Sequence, residues 1–216
     1  MRLALAAMAI AAVSAGAPQR PAQHDADQPV KGVGKLPAGW EGRLDQAGNK
    51  LEGVDIKEDK GTLTFTTGPA GIYYKPGMKA EGNFELTATF SQLQPATHPE
   101  GYGLFVGGAD LQKDEQRYTY FLIRQDGKFL IKSRNGAATA TIVNWMDAVP
   151  MREAKGELKR SNVLGIRAQG DTVHFLVNDR EVHHASRADV NPDGIAGIRI
   201  NHNLNVQVTT PVLKKM

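Results

Sequence analysis

Aromatic and basic side chains recur on one face of two neighbouring predicted strands. Tyr118, Tyr120 and Arg124 alternate along the first strand, and Arg134 lies on the second. Because Asp126-Gly127 is a tight-turn pair that joins the strands as a hairpin, these side chains are expected to be neighbours. Aromatic rings stack on C–H faces, and guanidinium groups bind paired hydroxyls or a carboxylate. The pattern indicates a binding face for a polar, ring-shaped ligand; an ordinary solvated sheet face is the alternative.

Trp145 is a second candidate for ligand contact. It lies in Asn144-Trp-Met-Asp147, just after a predicted strand. A tryptophan in such a position either stacks on a ligand or plugs one end of the domain, and the sequence leaves both interpretations open.

His174 lies in the stretch GDTVHFLVNDREVH, which alternates apolar and polar residues and breaks at Asn178-Asp179. Alternation places His174 on the face opposite the apolar residues of its strand. A catalytic base needs a partner that orients it, and the neighbouring sequence identifies none. A solvated or groove-facing histidine is therefore expected, on a face equivalent to that of the tyrosines.

From about Trp40 onward, apolar and polar residues alternate with a period of two. Trp40 itself is expected to lie in the core or to cap the domain. In Phe84–Phe90, for example, every second residue is apolar. About twelve such stretches are separated by turn pairs such as Asn135-Gly136 and Asn178-Asp179. So many short strands with little helical periodicity predict an all-β domain, a sandwich of two antiparallel sheets.

Composition excludes several classes of protein. The 216 residues suit one sandwich-sized domain. The chain has no cysteine, so it has no disulfide, thiolate nucleophile or cysteine-based zinc site. The formal net charge of +3 arises from basic residues spread along the chain, whereas nucleic-acid binding usually needs a clustered basic face. We expect no nucleic-acid partner.

The N-terminal residues 1–17 have the pattern of a signal peptide. Arg2 precedes an apolar run from Leu3 to Val13, and small residues at Ala15 and Ala17 suit cleavage. The run is short for a transmembrane helix, so an N-terminal membrane anchor is the less favoured alternative. We expect a periplasmic or secreted protein with no stable membrane insertion after cleavage. Residues 18–38 are predicted to be a disordered linker, and residues 39–216 the β-sandwich domain.

Three stretches resemble a known group of folds. They read DGKFLIKSR, NVLGIRAQGDTVHFLVNDREVHHAS and DGIAGIRINHNLNVQVTTPVLKK. Their order of strands, hairpin asparagine and turn glycines resembles the concanavalin A-like jelly rolls of lectins and glucanases, and most of all the laminin-G-type and 3-keto-disaccharide hydrolase-type (DUF1080) domains. The resemblance implies a jelly-roll sandwich that receives carbohydrate on a curved sheet face. Fold alone does not establish function.

The resemblance also suggests tests of an enzymatic role. Related glucanases place Glu-x-Asp-x-x-Glu on one strand, and two carboxylates are what glycoside hydrolysis needs. This chain lacks that pattern, and Glu85 is alone on its strand, so a retaining glucanase mechanism is not expected. A hydrolase of the keto-disaccharide type remains open, with His174 or His98 as acid/base and Arg124 opposite developing negative charge.

Metal binding is the remaining question of site chemistry. Laminin-G-type relatives often hold calcium with loop oxygens, so calcium binding stays open. The candidate residues here are Asp110, Asp114, Asp189, Asn191 and Asp193. Calcium needs six or more converging oxygens, and no acidic loop motif is present, so we expect no metal and no other cofactor.

Three functions are consistent with the sequence. The leading interpretation is an exported carbohydrate-binding protein whose ligand contacts are Tyr118, Tyr120, Arg124, Arg134 and Trp145, with His174 on an equivalent face. The first alternative is the hydrolase or lyase, which a cleft that gathers histidine, arginine and carboxylate would favour. The second is a non-catalytic envelope protein, which an exposed apolar patch would favour.

Overall fold

The computed structural model describes residues 26–148, 150 and 161–216, so the predicted signal peptide lies outside the described residues. In these ranges the chain forms fifteen strands, a 3-10 turn at Leu51–Gly53 and the short helix α1 at Arg187–Val190, and residue 150 is also helical. The strands are β1 Glu41–Leu44, β2 Val54–Asp59, β3 Thr62–Thr67, β4 Gly71–Ala80, β5 Phe84–Gln92, β6 Gly101–Ala109, β7 Arg117–Arg124, β8 Lys128–Asn135, β9 Ala138–Asp147, β10 Asn162–Gln169, β11 Thr172–Val177, β12 Arg180–Ser186, β13 Gly194–Ile200, β14 Asn205–Thr209 and β15 Val212–Lys215.

The strands form two antiparallel sheets. The seven-stranded sheet has the order β1-β4-β13-β6-β7-β8-β9. The eight-stranded sheet has the order β12-β11-β10-β5-β14-β3-β2, and β15 also pairs with β5. The prediction of an all-β, two-sheet antiparallel sandwich is therefore confirmed. Among the described residues, no helix is long and apolar enough to cross a bilayer.

The main core lies between the two sheets and follows the predicted alternation. Along β5, Phe84, Leu86, Ala88 and Phe90 are all buried in this core, while the residues between them are not. Aromatic contacts also join the two sheets, since the ring centroids of Phe121 in β7 and Phe175 in β11 lie 5.3 Å apart. Trp40 is buried in the same core, as expected.

The predicted hairpin turns are also present. Asn178 and Asp179 have positive φ angles of 52° and 61° and connect β11 to β12. Gly127 and Gly136 have φ angles of 78° and 59° and turn β7 into β8 and β8 into β9. Residues with short polar or absent side chains tolerate this backbone region, which is why these pairs could be recognised from sequence.

A second apolar cluster covers the outer face of the seven-stranded sheet, the face turned away from the core. Because side chains alternate along a strand, the residues between the core positions point to this face. The cluster comprises Ile72, Tyr74, Phe105, Leu111, Tyr118, Tyr120, Leu122 and Leu130, with Trp145 and Ile195 packed against it. The candidate site is built on this layer.

The segment 26–36, which falls within the predicted linker, runs along the sandwich without regular secondary structure. The backbone N–H of Gln28 donates to Oδ1 of Asn203 at 2.7 Å, and that of Gly32 donates to the carbonyl of Glu52 at 2.7 Å. These bonds attach this part of the segment to the domain and bring Asp27 to the site described below.

Gly197→Ala is expected to lower the free energy of unfolding by about 1–3 kcal/mol, the usual cost of overpacking. A Cβ at Gly197 in β13 would lie 2.5 Å from the carbonyl oxygen of Tyr73 and 2.6 Å from Cε1 of Phe105. The backbone of β4 cannot yield as a flexible side chain would. Urea unfolding of the purified variant measures the loss.

Gly165→Ala is the matched control, since Gly165 is also a buried strand glycine. Its added Cβ would meet Leu176 at an ordinary distance of 3.4 Å, so stability is expected to change by less than about 1 kcal/mol. Equal losses in the two variants would contradict the close-approach explanation.

Candidate functional site

Tyr118 and Tyr120 lie on the outer face of the seven-stranded sheet, but they are only 3% and 6% exposed. Tyr118 packs against Phe105, with ring centroids 5.4 Å apart, and the guanidinium carbon of Arg199 lies 4.7 Å from the ring centroid of Tyr120. The expectation that both tyrosines contact a ligand directly is therefore wrong. They form a layer beneath polar groups, of which Arg199 is itself only 6% exposed.

Those polar groups form an arginine–aspartate cluster, consisting of Asp45, Arg134 and Arg199 together with the two tyrosines. Arg199 binds Asp45 through two hydrogen bonds of 2.9 and 2.6 Å, a bidentate pair. Its Nη1 also donates to the hydroxyl of Tyr118 at 3.1 Å. Arg134 approaches Oδ1 of Asp45 at 3.3 Å. One carboxylate thus holds two cations in place over the aromatic layer.

Electrostatics within the cluster fix its charge states. Burial tends to raise the pKa of Asp45, but Arg199, Arg134 and Arg43 outweigh it and hold that pKa below its ordinary value. Burial tends to lower the pKa of Arg199, but Tyr118 and Asp45 raise it overall. Asp45 and Arg199 therefore stay charged at neutral pH, as a buried ion pair must to offset the desolvation of both groups.

A pocket of about 170 Å³ adjoins this cluster and is called the Asp45 pocket below. It lies where the N-terminal segment, the loop after β1, the entry to β6 and the loop after β13 meet. Its lining residues are Asp27, Asp45, Gln46, Asn49, Ala70, Glu100, Arg199, Asn201 and His202. The sequence separates these residues by up to 175 positions, so the fold alone brings them together.

His202 links two carboxylates in the wall of the pocket. Its Nδ1 lies 3.2 Å from Oδ1 of Asp27, and its Nε2 lies 2.9 Å from Oε1 of Glu100. Glu100 also accepts a 3.1 Å hydrogen bond from Nδ2 of Asn201 and lies 3.1 Å from Nδ1 of the exposed His98. The pocket therefore gathers a histidine, an arginine and several carboxylates, the combination that could perform acid/base chemistry.

Two buried polar atoms of pocket residues lack a hydrogen-bond partner within the described part of the chain. They are Nε of Arg199, a donor, and Oδ1 of Asn201, an acceptor. Buried polar groups are nearly always paired in folded proteins, because an unpaired one loses its hydration without compensation. Both atoms are covered by the protein itself, so they are unpaired groups beneath the pocket surface rather than ligand contacts.

Trp145 is half-buried and lies beside the pocket. A Cβ built on Gly101, the residue after Glu100, would lie 3.0 Å from Cη2 of the Trp145 ring. The guanidinium carbon of Arg124 lies 4.2 Å from the centroid of that ring, in cation–π geometry, and Arg124 also binds Asp126 at 2.8 Å. Trp145 and Arg124 thus form one unit next to the pocket, and Arg124 covers one face of the ring.

His174 is not part of this site. It lies on β11 of the eight-stranded sheet and points away from the core, as predicted, but the tyrosines belong to the other sheet. The expectation that His174 lies on an equivalent face is therefore wrong. Its Nδ1 lies 2.7 Å from Oε2 of Glu181, whose other oxygen lies 2.8 Å from His184.

The loop carboxylates considered for calcium do not converge. Asp110 binds Lys113 at 2.9 Å, Asp114 binds Arg43 at 3.2 Å, and Asp193 binds Arg187 at 2.8 Å. Within residues 26–148, 150 and 161–216, no group of three or more histidine or carboxylate side chains is arranged to hold a metal ion.

The sequence interpretation missed Asp45, Glu100, Arg199, Asn201 and His202. One signal was present for Arg199, because it is the single charged residue in the apolar strand Gly194–Ile200. A lone arginine in such a strand needs a buried partner. Nothing local distinguishes Asp45 or Glu100 from other loop acids.

No family model and no curated protein matches this chain. Solved structures do match. A carbohydrate-binding module from Bacillus subtilis aligns with a TM-score of 0.60 at 10% identity, covering 82% of this chain and 96% of that one. The β-glucanase of Bacillus licheniformis aligns at 0.55 and 10%, covering 90% and 100%. A putative glycosyl hydrolase from Parabacteroides distasonis aligns at 0.50 and 14%, covering 82% and 100%. This likeness identifies the fold, a concanavalin A-like jelly-roll sandwich.

Proposed function

We propose that this protein binds a saccharide at the Asp45 pocket, where the N-terminal segment and loops at one end of the seven-stranded sheet meet beside Arg199. The observation that carries the proposal is a pocket lined by carboxylate, arginine, amide and imidazole groups, with Trp145 beside it. Ligand sites commonly combine a few fixed polar groups with an apolar surface. Carboxylates in the pocket wall would accept hydrogen bonds from sugar hydroxyls.

The named functions of the structural neighbours support this proposal without establishing it. The Bacillus subtilis neighbour is a carbohydrate-binding module, and two others are a glucanase and a putative glycosyl hydrolase. The same sandwich fold occurs in proteins of unrelated function, so the proposal rests on the pocket rather than on the fold. Screening the purified protein on a glycan array tests the proposal, and binding to no glycan would refute it.

Trp145→Ala is expected to weaken binding of the array's best glycan about tenfold, which corresponds to about 1.4 kcal/mol. The substitution removes the apolar surface next to the pocket and leaves the arginine–aspartate cluster intact. Isothermal titration calorimetry measures the affinity.

Met146→Ala serves as the control, because Met146 neighbours Trp145 in β9 and is 55% exposed. Its side chain points to the opposite side of the strand, so affinity is expected to be unchanged. A normal affinity for Trp145→Ala would remove Trp145 from the proposed binding surface.

A glycoside-processing hydrolase or lyase of the 3-keto-disaccharide type is the second candidate function. The observation that favours it is His202 between Asp27 and Glu100, within the same pocket as Arg199. His98, one of the two histidines suggested by the sequence, contacts Glu100, whereas His174 lies on the other sheet. Incubating the protein with 3-keto-disaccharides and ordinary disaccharides, with His202→Gln as control, tests for turnover.

Export is part of the proposal. Residues 1–17 have the charge, apolar run and small residues of a signal peptide, and an exported protein would meet extracellular glycans. N-terminal sequencing of protein from the periplasm and the medium tests this, and a chain that retains Met1 in the cytoplasm would contradict it.

The third function, protein contact, has less support, because the four exposed large hydrophobic residues described here lie on three separate segments.

A further inference from the structure

We infer that the N-terminal segment 26–36 is a pH-sensitive strap at the edge of the Asp45 pocket, held in place by a proton shared among Asp27, His202 and Glu100. These three residues are called the clasp below. The inference concerns how the pocket opens, so it goes beyond the proposed function and does not depend on which molecule binds there.

The domain has a docking place for this segment. The backbone N–H of Gln28 donates to Oδ1 of Asn203 at 2.7 Å, and Nδ2 of Asn203 donates to the carbonyl of Ala26 at 2.9 Å. Gly68 allows a close approach, since a Cβ there would lie 2.5 Å from the carbonyl oxygen of Gln28. The segment therefore packs closely on the domain, and it brings Asp27 into the wall of the pocket.

His202 joins the segment to the domain through both of its ring nitrogens. Its Nδ1 lies 3.2 Å from Oδ1 of Asp27, and its Nε2 lies 2.9 Å from Oε1 of Glu100. The His202 side chain is 7% exposed, so water can hardly replace either contact. An imidazolium ring donates from both nitrogens, whereas a neutral ring has one N–H and a lone pair on the other nitrogen. Both contacts are therefore made together only while the clasp keeps its additional proton.

Loss of this proton is expected to release Asp27 rather than Glu100. The contact of His202 with Glu100 is the shorter one, and Glu100 also accepts a hydrogen bond from Nδ2 of Asn201 at 3.1 Å. Glu100 directly precedes β6, whereas Asp27 lies in a segment without regular secondary structure. A deprotonated Nδ1 would turn its lone pair towards the Asp27 carboxylate, so Asp27 would move away and open that side of the pocket.

The other charged groups around the clasp can be separated from it. Asp45 and Arg199 line the same pocket, but they bind each other and stay charged at neutral pH. His98 approaches the same oxygen of Glu100 at 3.1 Å and is 62% exposed. Histidine is the side chain that ordinarily changes charge between pH 5 and pH 8, so the experiment must distinguish His98 from His202.

Hydrogen exchange of the Gln28 amide measures the attachment of the segment without any ligand. The exchange is resolved by NMR on the purified protein and corrected for its intrinsic pH dependence. Protection is expected to be about tenfold greater at pH 5.5 than at pH 8, the usual effect of one charge-assisted hydrogen bond. The Gly32 amide donates to the carbonyl of Glu52, away from the clasp, and should change little.

Asp27→Asn should abolish this pH dependence while the segment stays attached. An asparagine amide can accept from a ring N–H or donate to a deprotonated ring nitrogen, so its contact with His202 no longer requires the proton. The Asp27 side chain is 34% exposed, so the substitution puts the fold at little risk. His98→Gln is the matched control, and it should keep the pH dependence of the unsubstituted protein.

Three results would each overturn the inference. The first is a Gln28 amide that is unprotected, or equally protected at both pH values. The second is a pH dependence that persists in Asp27→Asn, and the third is one that disappears in His98→Gln. None of these results bears on saccharide binding, which the glycan array tests separately.

Discussion

Asp45→Ala is expected to lower the free energy of unfolding by about 3–5 kcal/mol, the usual cost of removing one partner from a buried ion pair. Asp45 accepts two hydrogen bonds from Arg199 and lies 3.3 Å from Arg134. Without it, the buried guanidinium of Arg199 keeps its charge and retains, among the described residues, only the hydroxyl of Tyr118 and the ring of Tyr120 as partners. Urea unfolding followed by tryptophan fluorescence measures the loss.

Asp55→Ala provides a closely matched control. The side chains of Asp55 and Asp45 are both 23% exposed, but Asp55 pairs with Lys57, which is 77% exposed. Removing such a solvated pair is expected to cost at most about 1 kcal/mol. The double variant Asp45→Leu/Arg199→Met should recover much of the lost stability, because it leaves no unpaired charge. A single variant at Asp45 that is no less stable than Asp55→Ala would show that the cluster does not stabilise the fold.

Acid is expected to destabilise the protein through the same carboxylate. The pKa of Asp45 in the folded protein is held below the ordinary value of 3.8, so the unfolded chain binds a proton more readily. The stability from Asp45 is therefore fully present above about pH 4 and is lost as the pH falls through the lowered pKa of the folded state. Urea midpoints measured between pH 6 and pH 2.5 should decline steeply in the acid range.

Asp45→Asn separates this contribution from those of other acids. Asparagine has no carboxyl to protonate. The stability of the Asp45→Asn variant should therefore decline less than that of the unsubstituted protein as the pH falls. Glu181 also has a lowered pKa, because His184 and His174 bind it, but it contributes equally to both proteins. Parallel declines would mean that Asp45 is not the group responsible.

The fold could be predicted from sequence because its determinants are local. Alternation along Phe84–Phe90 fixes which side chains enter the core, and the pairs Asn135-Gly136 and Asn178-Asp179 fix where strands turn. What alternation cannot provide is the sheet to which each strand belongs. His174 and Tyr118 both face away from the core, yet they lie on different sheets.

The site was less predictable because its determinants are distant in sequence. The hairpin correctly placed Tyr118 and Tyr120 on the outer face, but their burial depends on Arg199, 81 residues after Tyr118. The pocket depends on contacts that span up to 175 residues, such as that between Asp27 and His202. Long-range ion pairs leave no periodic pattern in a sequence. The sequence alone therefore offers only isolated indications of the site, such as one arginine in an apolar strand.

The location of strand β15 determines how this protein can be attached to a support. β15 pairs with β5 in the eight-stranded sheet, and the adjoining Met216 is 53% exposed. A label or surface tether at Met216 would therefore project from the side opposite the pocket and leave its mouth accessible. A tag joined directly before Asp27 would instead crowd the entrance, so the two arrangements should give different apparent affinities for the same immobilised protein.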